Sequence, residues 1–138
     1  MSERYRTEAI NRTGGEGVST VTGGLEVAVS SPLSADFDES ASNPEQLLAL
    51  AWATCLNATA QAVVARRRRT AVRIEVALHD ASDGGGFEFR VDAFLSAEGA
   101  TEAETADVLA RAHARCPVSK LLGGAATVRV HTEAYTSD

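Results

Sequence analysis

The sequence predicts an α+β domain with the element order β-β-β-α-β-β-α-β. Three observations carry this. Stretches near both ends and in the middle alternate apolar and polar residues. Two helix-start signals, Asn43-Pro44-Glu45-Gln46 and Thr101-Glu102-Ala103-Glu104, each precede a long Ala- and Leu-containing run. Glycine clusters punctuate the alternating stretches. Strands before, between and after two helices form an α+β pattern. With 138 residues, a single domain covering 1–138 is expected.

The elements follow in order. Tyr5 to Ser30 alternates, with Gly14-Gly15 and Gly23-Gly24 as turns, and reads as two or three short antiparallel strands. Ser31 to Ser42 is a polar loop. Asn43 then suits an N-cap, Pro44 the first helical position, and Gln46 a capping-box partner. The helix is expected to reach about Arg69, on the order of 40 Å. Its middle, Leu47 to Ala65, is apolar nearly all the way round. That predicts burial on most faces and a homodimer to supply the cover. Arg66 to Arg69 are expected to cap its negative end as solvated charges. Val72 to Ala81 and Phe87 to Leu95 read as a hairpin across Ser82 to Gly86. Thr101 and Glu104 form a capping box for a second helix running towards Arg115. Pro117 sets a short turn, and Ala126 to Tyr135 gives a last strand.

Composition narrows the function. The net charge of −6 offers no overall basic field for nucleic acid or an anionic membrane. The polar start, Met1 to Arg12, is no signal peptide, and no stretch has transmembrane length, so the expected compartment is the cytoplasm. Two cysteines make neither a disulfide framework nor a zinc motif, and no metal or cofactor is expected. Two buried free thiols would be the ordinary reading of such a pair. Cys55 lies inside the apolar helix, where burial raises a thiol pKa. Cys116 ends one helix and precedes Pro117, so it can cap the next turn and meet unpaired backbone N–H groups. Local physics makes Cys116 at least as reactive as Cys55.

Asn43-Pro44-Glu45-Gln46-Leu47 followed by Ala53-Thr54-Cys55 resembles the first signature of the OsmC/Ohr family. These are the osmotically inducible protein C and organic hydroperoxide resistance proteins. Ala112-His113-Ala114-Arg115-Cys116-Pro117-Val118-Ser119 resembles its second signature. The resemblance implies an OsmC-like fold with a long central helix and an intertwined homodimer. It implies a thiol-dependent peroxidase that reduces organic hydroperoxides, and in some members hydrogen peroxide, to alcohol and water. Cys55 would be peroxidatic and pass through a sulfenic acid. Cys116 would resolve it as a disulfide, and a dithiol reductant, a lipoylated protein or a small thiol, would reopen that bond. Glu45 would orient an arginine beside the peroxidatic thiolate. An intermediary is required, because ten helical residues put Glu45 roughly 15 Å from Cys55 along the axis.

The chain departs from the family at that arginine. Gly14-Gly15 is followed by Glu16, and the loop from Pro32 to Ser42 contains no arginine. Arg12 is the first substitute cation, with Arg4 and Arg6 behind it. The Cys-Pro-Val-Ser form lies nearer OsmC than Ohr, so the sequence reads as a divergent member. Trp52, Leu48 and Leu56 are expected to line an apolar peroxide pocket, with core packing as the other reading of Trp52. His113 shares a helical face with Cys116 and reads as a packed or interface histidine rather than a base. Two other functions stay open: a non-catalytic small-ligand-binding module and a thiol redox sensor.

Overall fold

Val91, Ala93, Leu95 and Ala97 alternate along one strand and are all buried, which makes that strand the spine of the larger sheet. The computed structural model describes residues 2–137. The chain divides into two compact units, Met1–Leu47 and Leu48–Asp138. Among the described residues the order is β1 (Ala9–Asn11), β2 (Gly17–Val21), β3 (Glu26–Val29), α1 (Pro44–Val63), β4 (Thr70–Asp80) and β5 (Phe87–Ala97). Then come α2 (Glu102–Arg115), α3 (Pro117–Leu122) and β6 (Val128–Thr132). The α+β class and the expected order hold, with the turn after Pro117 forming a third short helix.

In the first unit β1, β2 and β3 form an antiparallel meander. Gly17 is required there: a Cβ would fall 2.5 Å from the Thr13 hydroxyl, and its φ is +121°. Glu16, the residue that follows Gly14-Gly15, is used locally. Its carboxylate accepts the Ser31 N–H at 3.0 Å. Hydrogen bonds from Ser30 and Ser31 hold it below the usual carboxylate range. Asn43 caps α1 as expected, accepting the Gln46 N–H at 2.9 Å. The Gln46 side chain turns instead to the Ser42 hydroxyl, at 3.1 Å.

In the second unit the sheet order is β4-β5-β6. β4 and β5 pair antiparallel, and β6 joins β5 parallel. A parallel neighbour needs a long crossover, which α2 and α3 supply. Thr101 and Glu104 close the expected capping box on α2: Glu104 N–H to the Thr101 hydroxyl at 3.1 Å, Thr101 N–H to the Glu104 carboxylate at 2.8 Å. Thr105, Val108, Leu109 and Ala112 form the inner stripe of α2. Val108, Leu109 and Ala112 join Trp52, Leu56, Ala60 and the β5 spine in one core cluster. The outer face of the sheet is polar. Arg73 lies over the Phe94 ring at 4.1 Å and pairs with Glu75 and, at 2.8 Å, Glu133.

Two expectations about α1 are corrected, its end and its cationic cap. The helix ends at Val63, not near Arg69, so it spans about 30 Å rather than 40. Arg66 to Arg69 lie beyond it, and its last turn holds no cation. The cause is the return to β4. The Gln61 amide donates to the Thr70 hydroxyl at 2.5 Å, and that hydroxyl donates to Asn57 at 2.7 Å. Thr70 is thereby tied back onto the helix, and the six residues between must reverse. Ala65 and Arg66 do so in the left-handed region, at φ 52° and 56°. The Arg66 N–H closes on Gln61 O at 3.0 Å, the five-residue closure of a Schellman-type end. Burial within the single chain is a separate matter, and the cover expected from a second copy is not part of it. Only Trp52, Leu56 and Ala60 of α1 are buried, while Leu50 is 63% exposed.

Candidate functional site: a facing pair of thiols

The site begins with Trp52, Leu56 and Ala60, spaced four apart as the buried stripe of α1. Cys55 is three residues past Trp52 and flanks that stripe, so it is packed against the core yet partly open. Its own helix offers the sulfur little. Mid-helix N–H groups are consumed by carbonyls four residues back, and the Thr59 hydroxyl bonds Cys55 O, not the sulfur.

Cys116 has the opposite setting. It is at once the last cap of α2 and the first of α3, with an extended backbone at φ −66° and ψ 123°. Its N–H still bonds Ala112 O at 2.9 Å, so it finishes one helix. Pro117 has no N–H to continue it and begins the next. The Cys116 sulfur accepts the Ser119 N–H at 3.4 Å and is fully enclosed. The N-cap position read from the sequence is therefore present.

The two sulfurs stand 3.3 Å apart, both as free thiols. A disulfide needs about 2.05 Å, so the gap to close is only roughly 1.2 Å. Ser119 completes the arrangement. Its hydroxyl accepts the Trp52 indole N–H at 2.8 Å in a fully buried bond, joining α1 to the first turn of α3. The sequence reading missed Ser119 as a positioning residue. The signal was its place three residues after a capping cysteine, where its N–H must meet the cap.

These surroundings push the thiols in opposite directions. Burial raises Cys55, and the Cys116 thiol beside it adds to the rise; the Val118 N–H opposes. Burial also works to raise Cys116. There the Ser119 N–H and hydroxyl, the Cys55 thiol and the Val118 N–H together outweigh it, and Cys116 falls below the ordinary thiol value. The shared proton has two positions. A bond donated by Cys116 leaves charge on Cys55, while the donors of α3 favour charge on Cys116.

The remaining expected residues fall as follows. Trp52 and Leu56 are both 0% exposed, so of the three expected to line a peroxide pocket only Leu48 keeps open surface. Glu45 is half-buried in the first turn of α1, and Arg12 is exposed just after β1. Neither makes a side-chain hydrogen bond or ion pair among the described residues, and both belong to the first unit. Arg6 pairs with Glu3 at 2.5 Å, and Arg4 is exposed. His113 packs by Trp52, ring centroids 6.4 Å apart, with its Nδ1 enclosed and without a hydrogen-bond partner among the described residues. Among the described residues no cluster of three His, Cys, Asp or Glu could hold a metal ion, and no helix is long and apolar enough to cross a membrane.

Known proteins are similar to this chain over most of its length. The family model described as OsmC-like protein matches residues 37–131, a span that contains both cysteines. The organic hydroperoxide resistance protein OhrA of Bacillus subtilis is 32% identical, covering 90% of this chain and 93% of its own. A Lactobacillus casei crystal structure is 35% identical with a TM-score of 0.87, covering 99% of this chain and 96% of that one. An organic hydroperoxide resistance protein from Legionella pneumophila is 25% identical with a TM-score of 0.83, covering 98% and 100%. From the family match and these identities, the chain belongs to the OsmC-like protein family, in its organic hydroperoxide resistance circle.

Proposed function

We propose that the chain is a two-cysteine thiol peroxidase acting on organic hydroperoxides, with Cys55 as the attacking and Cys116 as the resolving residue. One observation carries the reading: two free sulfurs 3.3 Å apart, of which only Cys55 has open surface. A solute can reach Cys55; it cannot reach Cys116. The Cys55 thiolate attacks the outer peroxide oxygen, breaks the O–O bond and becomes a sulfenic acid, while the departing alkoxide takes a proton and leaves as alcohol. The Cys116 sulfur then attacks the Cys55 sulfur and expels hydroxide, which leaves as water after taking the remaining thiol proton. A dithiol, lipoylated protein or small molecule, reopens the disulfide by exchange and is itself oxidised. Cys116 has the lower pKa, and transfer of the Cys55 proton to the Cys116 thiolate 3.3 Å away forms the attacking Cys55 thiolate and leaves Cys116 as the thiol. In the same reading Glu45 orients a cation and Arg12 is the substitute for the family arginine.

A homodimer in the cytoplasm is part of the same reading. It is supported by an α1 that leaves Leu47 at 36% and Leu50 at 63% exposure. The test is one equivalent of tert-butyl or cumene hydroperoxide. Wild type should lose both thiols, gain one intramolecular disulfide by mass spectrometry, and turn over with a dithiol. Equal, slow peroxide consumption by wild type and Cys55→Ser would sink the proposal. The raised Cys55 pKa favours a second reading, a non-catalytic binding module. That reading expects the thiols to survive the peroxide.

A further inference from the structure

A groove of about 540 Å³ opens in the second unit, between the end of α1 and the outer turns of α2. Its volume falls within the range of small-molecule sites, about 300–1,000 Å³. It lies apart from the thiols and takes no part in the proposed chemistry. Its apolar surface is Val63, Val64 and Val108. Its charged surface is Arg67, Arg68 and Arg111 against Glu104 and Asp107.

The two acids are already engaged. Glu104 is spent on the capping box of α2, where its carboxylate holds the Thr101 N–H. Asp107 pairs with Arg111 at 3.5 Å, one turn along the helix. The other two arginines, Arg67 and Arg68, make no ion pair among the described residues, and Arg68 meets Glu104 only through charge at longer range. Arg68 is half-buried, and its Nη1 is enclosed without an acceptor among the described residues. A buried guanidinium N–H without an acceptor is costly, and native structures keep few. The backbone brings these two arginines here at a further cost. Ala65 and Arg66 both take left-handed φ, a conformation that residues with side chains avoid. An uninterrupted helix would have fanned the four arginines around its axis.

We propose that this groove binds a monoanionic amphiphile, a carboxylate on an apolar chain, with Arg67 and Arg68 on the head and Val63, Val64 and Val108 along the tail. Charge sets the class. Three arginines against two carboxylates leave one positive charge, which suits a monoanion better than a phosphate dianion. Arg guanidinium pairs with carboxylate in fork geometry. The apolar floor gives the chain a dry side and separates this ligand from a plain inorganic anion.

The test uses the full chain with decanoate, decanol and inorganic phosphate as probes, followed by amide chemical shifts. Decanoate should shift residues 63–68 and 103–111 in a saturable manner. Decanol and phosphate should bind at least about tenfold more weakly, since each lacks one half of the recognition. Arg68→Gln should weaken decanoate about tenfold, the loss of one charge-assisted contact, and Arg68→Lys should recover part of it. Arg67→Gln is exposed and gives the same readout should Arg68→Gln fold poorly. The proposal is overturned by no saturable shift up to about 5 mM decanoate, a concentration that reaches even millimolar affinity. Decanol or phosphate binding as well as decanoate overturns it too, as do Arg67 and Arg68 variants that bind like wild type. None of these outcomes bears on the peroxidase reading, which rests on the thiols.

Discussion

Cys55 and Cys116 sit 3.3 Å apart and yet belong to opposite kinds of backbone. One is in the middle of a twenty-residue helix, where amide hydrogens are committed to carbonyls one turn back; the other is at a junction where a short helix begins and amide hydrogens are free to bond a sulfur. The open sulfur is the one its surroundings make less acidic, and the enclosed sulfur is the one they make more acidic. Access and acidity are thus divided between the two. A dithiol built this way can hold its negative charge in a protected place and expose the partner that meets the solute.

The largest expected effect breaks the pair outright. Cys55→Ser should lower peroxide turnover by at least about 10³-fold, as loss of a nucleophile does. Cys116→Ser should also stop sustained turnover, but one oxidation of Cys55 should still occur and leave a sulfenic acid that a dimedone-type probe traps. If Cys116→Ser loses that first oxidation and Cys55→Ser keeps it, the division of roles is reversed.

Next comes acidity. Thiolate ultraviolet absorbance should rise below about pH 8.5 for Cys116 in Cys55→Ser, and above it for Cys55 in Cys116→Ser. The sign carries into stability. A thiol whose folded pKa is lowered adds stability that is fully present above the unfolded value and lost as pH falls through the folded one. The Tm of Cys55→Ser should therefore climb as pH rises towards about 8.5, and that of Cys116→Ser should fall once pH exceeds it. A flat Tm in both would remove the contrast.

Smaller changes sharpen the comparison by touching only the donors. Ser119→Ala keeps its N–H but loses its hydroxyl, and should move the Cys116 titration upward. Trp52→Phe removes the donor behind that hydroxyl and should move it less. Phenylalanine is the usable replacement, because Trp52→Ala would cost about 3–5 kcal/mol, comparable to the whole stability of a small domain. Thr101→Ala is the control. Its loss of a helix cap should cost about 1 kcal/mol in urea unfolding and leave both thiol titrations where they were.

Much of this is legible in the sequence. The α2 cap was readable because Thr101 and Glu104 act within four residues of each other. Cys116 as a cap followed from Pro117, whose ring forbids the previous helix to continue. The end of α1 was not readable, because it is decided by Gln61 and Asn57 gripping Thr70, partners nine and thirteen residues away with no periodic signature. Ser119 and Trp52, 67 residues apart, became partners only through packing. The role expected of Trp52 rested on its spacing from Cys55, and spacing does not tell a pocket wall from a core residue.

The chain has a single tryptophan, and its indole N–H ends on the residue that holds the Cys116 sulfur. When the sulfurs close from 3.3 Å to disulfide length, the Ser119 amide and hydroxyl must readjust around Cys116, and the indole hydrogen bond with them. Indole emission responds to the loss or bending of such a bond. The molecule therefore contains its own optical readout of the dithiol, and oxidation and re-reduction can be followed in real time without a label.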